Sequence, residues 1–219
     1  MERIHDVITE IEPHDSVERY TGLGVDVLQG YAKIIDPWTV EVALNSGGTR
    51  RLTTRSIVIA AGARPFVPPL PGMEEVGYVP RDTLWDAFAQ LDSAPARLVV
   101  LGGGPIGCEL AQSFARLGSQ VTQIEMLPRI MIREDEDVST LARASLERDG
   151  VRVLTGHKAL RCERDGDTKF IVVEHAGQEL RVAFDQMICA VGRVARLEPR
   201  RLSTWQSSVE SDRRCPPGW

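Results

Sequence analysis

Three glycines and one acidic residue carry the clearest chemical signal in this sequence. Gly102, Gly104 and Gly107 form a G-x-G-x-x-G pattern, and Glu125 follows 18 residues after the last of them. In such a pattern the first glycine permits a tight turn, the second lets the backbone approach a pyrophosphate, and the third lets a helix pack closely on a strand. A carboxylate at the position of Glu125 can bind both ribose hydroxyls and repel a 2′-phosphate. The pattern indicates a dinucleotide site and favours NAD over NADP.

Two alternatives remain open at this site. Glu125 is also compatible with an ordinary carboxylate in a surface turn. Arg129 and Arg133 follow shortly after it, and a nearby arginine can accept the 2′-phosphate of NADP. NADP therefore stays as the less favoured cofactor.

The elements around the glycines alternate in type. Residues 97–101 are an apolar run typical of a buried strand, and a helical pattern follows the glycines and ends near Gly118. A second strand over 120–125, a helix over 135–149 with an acidic start and a third strand over 151–154 come next. Residues 157–183 predict a β-meander and residues 184–190 a last buried strand. This order, βαβαβ, meander and β, predicts a parallel sheet covered by helices.

The first third of the chain has a different pattern. Apolar residues at helical spacing predict a helix within residues 1–20, and residues 24–60 predict β-structure, with strands over 25–28 and 39–42. The continuous apolar run over 56–62 predicts a strand that is buried on both faces. Five prolines between residues 62 and 80 predict a stiff connector and the best internal domain boundary.

Composition narrows the class of protein. Apolar residues make up 42% of the chain, charged residues 26%, and the net charge is −5, which is typical of a soluble globular protein and disfavours nucleic-acid or polybasic membrane binding. No apolar run reaches the roughly 18 residues that a membrane span needs. The first residues have no apolar stretch of a secretory signal, so we expect a cytoplasmic protein. The four cysteines are 54, 27 and 26 residues apart and the four histidines have no ligand spacing, so no metal site is predicted.

Three sequence blocks resemble the pyridine nucleotide-disulfide oxidoreductases, the flavoprotein family of dihydrolipoamide dehydrogenase, glutathione reductase and mercuric reductase. The blocks are I-V-I-A-A-G-A-R-P over 57–65 with P-P-L-P-G over 68–72, L-G-G-G-P-I-G-C-E over 101–109, and C-A-V-G-R over 189–193. They occur in the family's order over residues 1–196, and mercuric reductase-like members are nearest. The resemblance implies an α/β, Rossmann-like FAD/NAD(P)-binding three-layer fold, with a parallel sheet, a β-meander and a partial FAD-domain β-region.

The resemblance also implies positions for the cofactors. Against FAD it places Ala32, Ala61, Gly62 and Ala63, although the family threonine of this block is alanine at Ala61. Together with Gly102 it places around NAD the residues Gly104, Pro105, Ile106, Gly107, Glu109, Glu125, Ala159 and Gly192. In relatives the acid at the position of Glu109 pairs with a lysine of the FAD domain; the alternative is a solvated carboxylate on a helix face.

Several family features are missing from these 219 residues. The FAD-binding glycine loop, the redox-active Cys-x-x-x-x-Cys pair, the later G-D motif and the C-terminal His-Glu base do not occur. We therefore expect a remnant of the FAD domain over 1–70, an NAD(P)-binding domain over 71–196 and an atypical, disordered tail over 197–219. No catalytic residue is assigned, and the chain alone is expected to be inactive in disulfide reduction.

Three functions remain open from the sequence. The first is a truncated portion of an FAD-dependent oxidoreductase of this family that retains the NAD(H)-binding domain. The second is a non-catalytic NAD(H)-binding module, which forms a homo-oligomer or assembles with a partner that supplies the FAD half. The third, a freestanding dehydrogenase, is disfavoured because no acid or base other than Glu109 is available near a nicotinamide.

Overall fold

A computed structural model gives the fold and describes residues 2–89 and 91–196. The predicted tail over 197–219 lies outside the described residues, and so does Cys215. Two compact units divide the chain, one formed mainly by Ala63–Val194 and the other mainly by Glu10–Gly62. This division falls eight residues before the boundary at residue 70, which stays a prediction. In the described part of the chain, no helix is long and apolar enough to cross a membrane.

Residues 2–53 contain two helices and a small antiparallel sheet. The predicted first helix is present as α1, and the strands of the antiparallel sheet are ordered β1-β2-β3. The elements are α1 (Glu2–Ile11), α2 (Val17–Gly22), β1 (Gly30–Asp36), β2 (Thr39–Leu44) and β3 (Thr49–Thr53).

The prediction of a strand over 25–28 was wrong. The turn after Asp36 sets the pairing of β1 with β2, and in this register Gly30 lies opposite Leu44, the last residue of β2. Residues 25–28 therefore have no strand opposite them, and the first strand begins at Gly30 instead. An alternating apolar pattern does not form a strand without a neighbour to bond to.

The prediction of a buried strand over 56–62 was also wrong. This segment, which we call the apolar segment, has no regular structure, and Val58 is 89% and Ile59 53% exposed. None of the strand pairs among the described residues includes it. Its apolar composition is that of a buried strand, but no second layer covers it among the described residues of its own unit.

The larger unit contains a five-stranded parallel sheet and a three-stranded meander. The sheet has the strand order β5-β12-β6-β7-β8 and the meander the order β11-β10-β9, with turns after Asp165 and after His175. A short two-stranded sheet joins β4 and β13. The elements are β4 (Ala63–Pro65), α3 (Met73–Val76), β5 (Val79–Pro80), α4 (Leu84–Ala89), β6 (Arg97–Leu101), α5 (Pro105–Arg116), β7 (Gln120–Glu125), α6 (Glu136–Arg148), β8 (Arg152–Thr155), β9 (Lys158–Asp165), β10 (Thr168–His175), β11 (Gln178–Phe184), β12 (Gln186–Cys189) and β13 (Arg193–Ala195).

Local sequence explains where the two long helices begin and end. Helix α5 starts with Pro105 at its first position, where the missing N–H costs no hydrogen bond, and the chain leaves it through Gly118 at φ +96°. Helix α6 has Asp135 at its N-cap position and two acids in its first turn, which suit the positive end of the helix dipole. The elements predicted over 97–154 are confirmed to within about two residues.

The parallel sheet is the middle of three layers, as the fold class predicts. Alternate residues of one strand reach opposite cores because successive side chains point to opposite faces. Leu98 and Val100 of β6 pack under the helices with Phe88 and Phe114, whose rings meet edge to face at 5.3 Å. The intervening residues of β6 join a second core against the meander, formed with Ile171, Val173, Val182, Phe184 and Met187. This packing fixes the position of β6, and the glycines lie directly after the carboxyl end of that strand.

Candidate dinucleotide site

The candidate site begins where β6 ends. Residues Gly102–Gly104, which we call the glycine turn, connect β6 to α5 at the carboxyl end of the parallel strands. Gly102 has φ +117°, and a Cβ at this position would lie 2.5 Å from the carbonyl oxygen of Ala190. Only glycine fits this backbone comfortably, for reasons of both conformation and space.

The last three residues of β7 hold the glycine turn in place. The Gly102 N–H donates to the carbonyl oxygen of Ile124 at 2.8 Å, and Gln123 Nε2 donates to the Gly102 carbonyl at 3.1 Å. The Gly103 N–H donates to Glu125 Oε2 at 2.6 Å, and Glu125 Oε1 accepts the Leu127 N–H at 2.9 Å. Each oxygen of Glu125 therefore accepts one backbone N–H and keeps lone pairs for a ligand.

Gly104 leaves open space at the start of α5. It has extended backbone, φ −74° and ψ 176°, and a Cβ there would meet nothing within 4 Å. The N–H groups of the next residues, Ile106 and Gly107, belong to the first turn of the helix and have no acceptor one turn earlier. An open approach to N–H groups at the positive end of a 12-residue helix can bind a phosphate.

Gly107 allows α5 to approach the glycine turn closely. A Cβ on Gly107 would collide with the carbonyl oxygen of Gly102 and would lie 3.3 Å from Gln123 Nε2. Because the first of these is a backbone atom, a side chain rotation does not relieve the contact. The third glycine of the pattern thus has the packing role that the sequence predicts.

The loop after β7 also holds the glycine turn, through a hydrogen bond to the carbonyl of Gly103. Met131 adopts φ +47°, which is unusual for a residue with a Cβ, and its N–H donates to the Gly103 carbonyl at 2.7 Å. The Arg129 guanidinium donates to three carbonyls of this loop, those of Met131, Ile132 and Glu134. Arg129 is thus engaged in shaping the loop, whereas Arg133 is exposed.

The other residues predicted for this site lie around the turn in different ways. Gly192 lies two residues after Ala190, whose carbonyl is next to Gly102. It has φ +139°, and its carbonyl accepts the Phe66 N–H at 3.0 Å. Glu109 is exposed on α5, and its carboxylate has no hydrogen bond or ion pair among residues 2–89 and 91–196. Ala159 is half-buried in β9, opposite Val173.

The residues implied for FAD are distributed over several segments. Ala32 is exposed in β1, opposite Val42 of β2. Ala61 and Gly62 follow directly on the exposed part of the apolar segment, and Gly62 has φ +70°. Ala63 begins β4 and is half-buried. No strand pairing or hydrogen bond in the described chain joins Ala32 to Ala61 or Gly62, and the placement of these residues against FAD stays a prediction.

The three described cysteines are free thiols in buried positions. Burial raises the pKa of the Cys162 thiol to about 11 and raises that of Cys189. Burial also raises the pKa of Cys108, and the nearby carboxylates of Glu125 and Glu109 raise it further. Thiols in such surroundings are poor nucleophiles because little thiolate forms at neutral pH.

Sequence reasoning missed the polar contacts beneath and beside the turn. Gln123 is fully buried, although it is one of several polar residues in the strand sequence Q-V-T-Q-I-E, which does not single it out. His157 and His175 stack with centroids 4.5 Å apart, each bonded through Nδ1 to a carbonyl of residues 155–156. The His157 N–H donates to the Glu125 carbonyl, so this pair adjoins the same sheet edge. No spacing rule connects these two histidines.

Comparisons with known proteins agree with this architecture. A family model described as pyridine nucleotide-disulphide oxidoreductase matches residues 2–214. The chain is 33% identical over 189 residues to a mercuric reductase of Bacillus cereus, covering 86% of the chain and 28% of that protein. It is 39% identical over 175 residues to a dihydrolipoyl dehydrogenase of Pseudomonas aeruginosa, covering 80% of the chain and 36% of that protein.

A solved structure has the same fold. It is a mutant of RclA, an HOCl-induced flavoprotein disulfide reductase of Escherichia coli, in its Cu(II) complex, with a TM-score of 0.71 and 28% identity over 88% of this chain and 42% of that one. The chain thus spans between about a quarter and two fifths of these relatives. With the three-layer fold, the glycine turn and a family match over nearly all of its length, the chain belongs to the pyridine nucleotide-disulphide oxidoreductase family.

Proposed function

We propose that residues 97–192 bind NAD(H) at the glycine turn. The observation that carries this proposal is the combination of open space at Gly104, the free first turn of α5 and the carboxylate of Glu125 beside it. The pyrophosphate would lie against the N–H groups of Ile106 and Gly107. The remaining lone pairs of Glu125 would accept the two hydroxyls of the adenosine ribose.

The same contacts support NAD rather than NADP as the ligand. A 2′-phosphate would meet the negative charge of Glu125, which is fixed in position by two backbone N–H groups. Arg129 would have to give up carbonyl partners of its own loop to bind that phosphate. Losing such hydrogen bonds has a cost that only a strong new contact offsets. Titration of the chain with NADH and NADPH by fluorescence tests this point, and tighter NADPH binding would refute it.

In a complete enzyme of this type, the bound nicotinamide supplies hydride to a flavin, and the protein orients the cofactors. Members of the family bind FAD and NAD(P). We propose that this chain contributes the nicotinamide-binding part of a mercuric reductase-like oxidoreductase. The placement of Ala32, Ala61, Gly62 and Ala63 against FAD rests on the family resemblance alone, and no step of the chemistry is assigned to them.

Disulfide reduction would need thiols from outside these 219 residues. The cysteines are at least 26 residues apart in sequence, and the three described ones are buried with raised pKa values. We therefore propose that the chain alone does not reduce disulfides or mercuric ion. NADH-dependent reduction of mercuric ion or lipoamide by the purified chain would contradict this.

A second candidate function is a binding module that assembles with a chain supplying the FAD half. The exposed Val58 and Ile59 favour it, because an uncovered apolar run of this length tends to pair with another surface. Visible absorbance of the purified protein separates the two functions. Bound flavin supports an assembled redox unit, and a colourless protein that binds NADH supports the module.

A further inference from the structure

Gln123 combines complete burial with incomplete hydrogen bonding. It is 0% exposed in the middle of the parallel sheet, opposite Val100 of β6 and Val153 of β8. Its Nε2 donates to the Gly102 carbonyl and lies 3.5 Å from Cys108 Sγ, whereas its Oε1 has no partner among the described residues. A polar side chain is thus kept in an apolar place although half of its amide is unsatisfied.

Stability alone does not account for a glutamine at this position. Burying an amide oxygen without a partner is unfavourable, and an apolar side chain of similar size, such as methionine, avoids that cost. Methionine in turn leaves the Gly102 carbonyl without its side-chain donor, so the two effects on stability largely offset each other. Strand alternation places Gln123 on the same face as Val121, which packs in the core beneath the helices. The one well-formed contact of Gln123, with Gly102, is therefore the feature that distinguishes it from an apolar residue.

The contact acts on a single peptide group. The Gly102 carbonyl and the Gly103 N–H belong to the same planar peptide unit. Gln123 binds its oxygen and Glu125 binds its nitrogen, at 3.1 Å and 2.6 Å. Rotation of this peptide would break both bonds together, so the two side chains oppose its rotation from opposite sides.

We propose that Gln123 is a positioning residue that holds the Gly102–Gly103 peptide while Glu125 engages the ligand. This inference rests on the proposed NAD(H) function. When ribose hydroxyls share the carboxylate of Glu125, the hold of Glu125 on the Gly103 N–H weakens, and the bond from Gln123 keeps the peptide plane and hence the start of α5 in place. Gln123 itself does not touch the nucleotide.

The test compares Gln123→Met with the wild-type chain in NADH titration and thermal unfolding. We expect NADH affinity of Q123M to fall roughly 2- to 10-fold, as expected for loss of one neutral hydrogen bond, with little change in Tm. Gln120→Met is the matched control, because it makes the same chemical change at the exposed start of β7, and its NADH affinity should equal that of wild type.

The possible results separate this inference from the proposed function. A wild-type chain that does not bind NADH refutes both. Wild-type binding with unchanged affinity in Q123M, or an equal loss in Q120M, refutes the role of Gln123 only. So does a Q123M chain with a clearly lower Tm, because Gln123 would then be a structural requirement.

Gln123→Glu gives a second measurement. The carboxyl of Q123E can donate to the Gly102 carbonyl only when it is protonated. The NADH affinity of Q123E relative to wild type should therefore fall as this carboxyl ionises, and the ¹³C chemical shift of the carboxyl monitors its ionisation. A ratio that stays constant through that ionisation would overturn the proposal.

Discussion

Replacing Gly104 by alanine separates the proposed binding role of the glycine turn from its structural role. Gly104 has φ −74° and ψ 176°, which any residue adopts, and a Cβ there would meet nothing within 4 Å. The folded chain therefore accommodates Gly104→Ala, with a loss of stability of a few tenths of a kcal/mol up to about 1 kcal/mol, because alanine is a poorer N-cap than glycine.

The ligand should be affected far more than the fold. A methyl group at Gly104 occupies the space through which a pyrophosphate would reach the N–H groups of Ile106 and Gly107. A hydrogen bond to a charged group contributes about 1.5–3 kcal/mol, so loss of one such bond weakens NADH binding by roughly 10- to 150-fold. Fluorescence titration measures this change, and thermal unfolding of the same sample measures the stability.

Gly107→Ala is the matched variant with the opposite expectation. Its Cβ would collide with the Gly102 carbonyl, so α5 must shift away from the turn. Overpacking of this kind typically costs about 1–3 kcal/mol, and we expect a clearly lower Tm. If G104A binds NADH as tightly as wild type, or if G104A loses as much stability as G107A, the assignment of the pyrophosphate to the start of α5 is refuted.

Three other predictions concern charge and ionisation. Glu125→Gln removes the charge that faces a 2′-phosphate, so the ratio of NADPH to NADH affinity should rise roughly tenfold or more; an unchanged ratio in paired titrations would argue against the ribose role. Burial raises the pKa of Cys162 to about 11 from 9.0, so the neutral thiol contributes fully to stability below pH 9. As pH rises to 11, this contribution disappears and the free energy of unfolding falls by roughly 2 kcal/mol. In urea unfolding, a Cys162→Ala chain, which lacks this group, should lose less stability between those pH values than wild type. The Arg97 guanidinium holds the pKa of Asp185 below its usual range, so Asp185→Asn should cost about 1 kcal/mol at neutral pH, discounted for solvent exposure. Because Asp185 contributes only while ionised, the difference from wild type should begin to shrink below the ordinary Asp pKa of about 4 and vanish only as pH falls through the lowered pKa of the folded chain. A difference that stays constant as pH falls well below about 4 would rule out the ion pair as its source.

The alternating part of the fold could be predicted from sequence because its signals are local. The apolar run over 97–101, the glycines and the helix-ending Gly118 lie next to one another in the chain, and β7 was predicted with its observed ends, Gln120 and Glu125. The strands expected over 25–28 and 56–62 failed for the reason that a strand depends on a neighbour. Apolar alternation describes what a segment can pair with, and pairing itself is decided by distant residues.

The candidate site was likewise predictable only in part from the sequence. The type and spacing of Gly102, Gly104, Gly107 and Glu125 predicted that these residues lie together, and the structure brings them together. The bond of Gln123 to Gly102 and the unusual backbone of Met131 depend on side-chain packing and loop geometry. No periodicity or motif in the sequence encodes such contacts.

The bonds that hold the glycine turn also imply an order of events as the chain folds. Both hydrogen-bonding groups of Gly102 and the N–H of Gly103 are bonded to residues 123–125, about twenty positions later. The turn therefore acquires its shape only after β7 has paired with β6, and this pairing must first close the loop that contains α5. A growing chain that has reached the end of α5 has every glycine of the motif but none of the partners that shape it. Competence to bind a nucleotide would consequently appear late, together with the sheet, so that NADH fluorescence could serve as a reporter of completed folding.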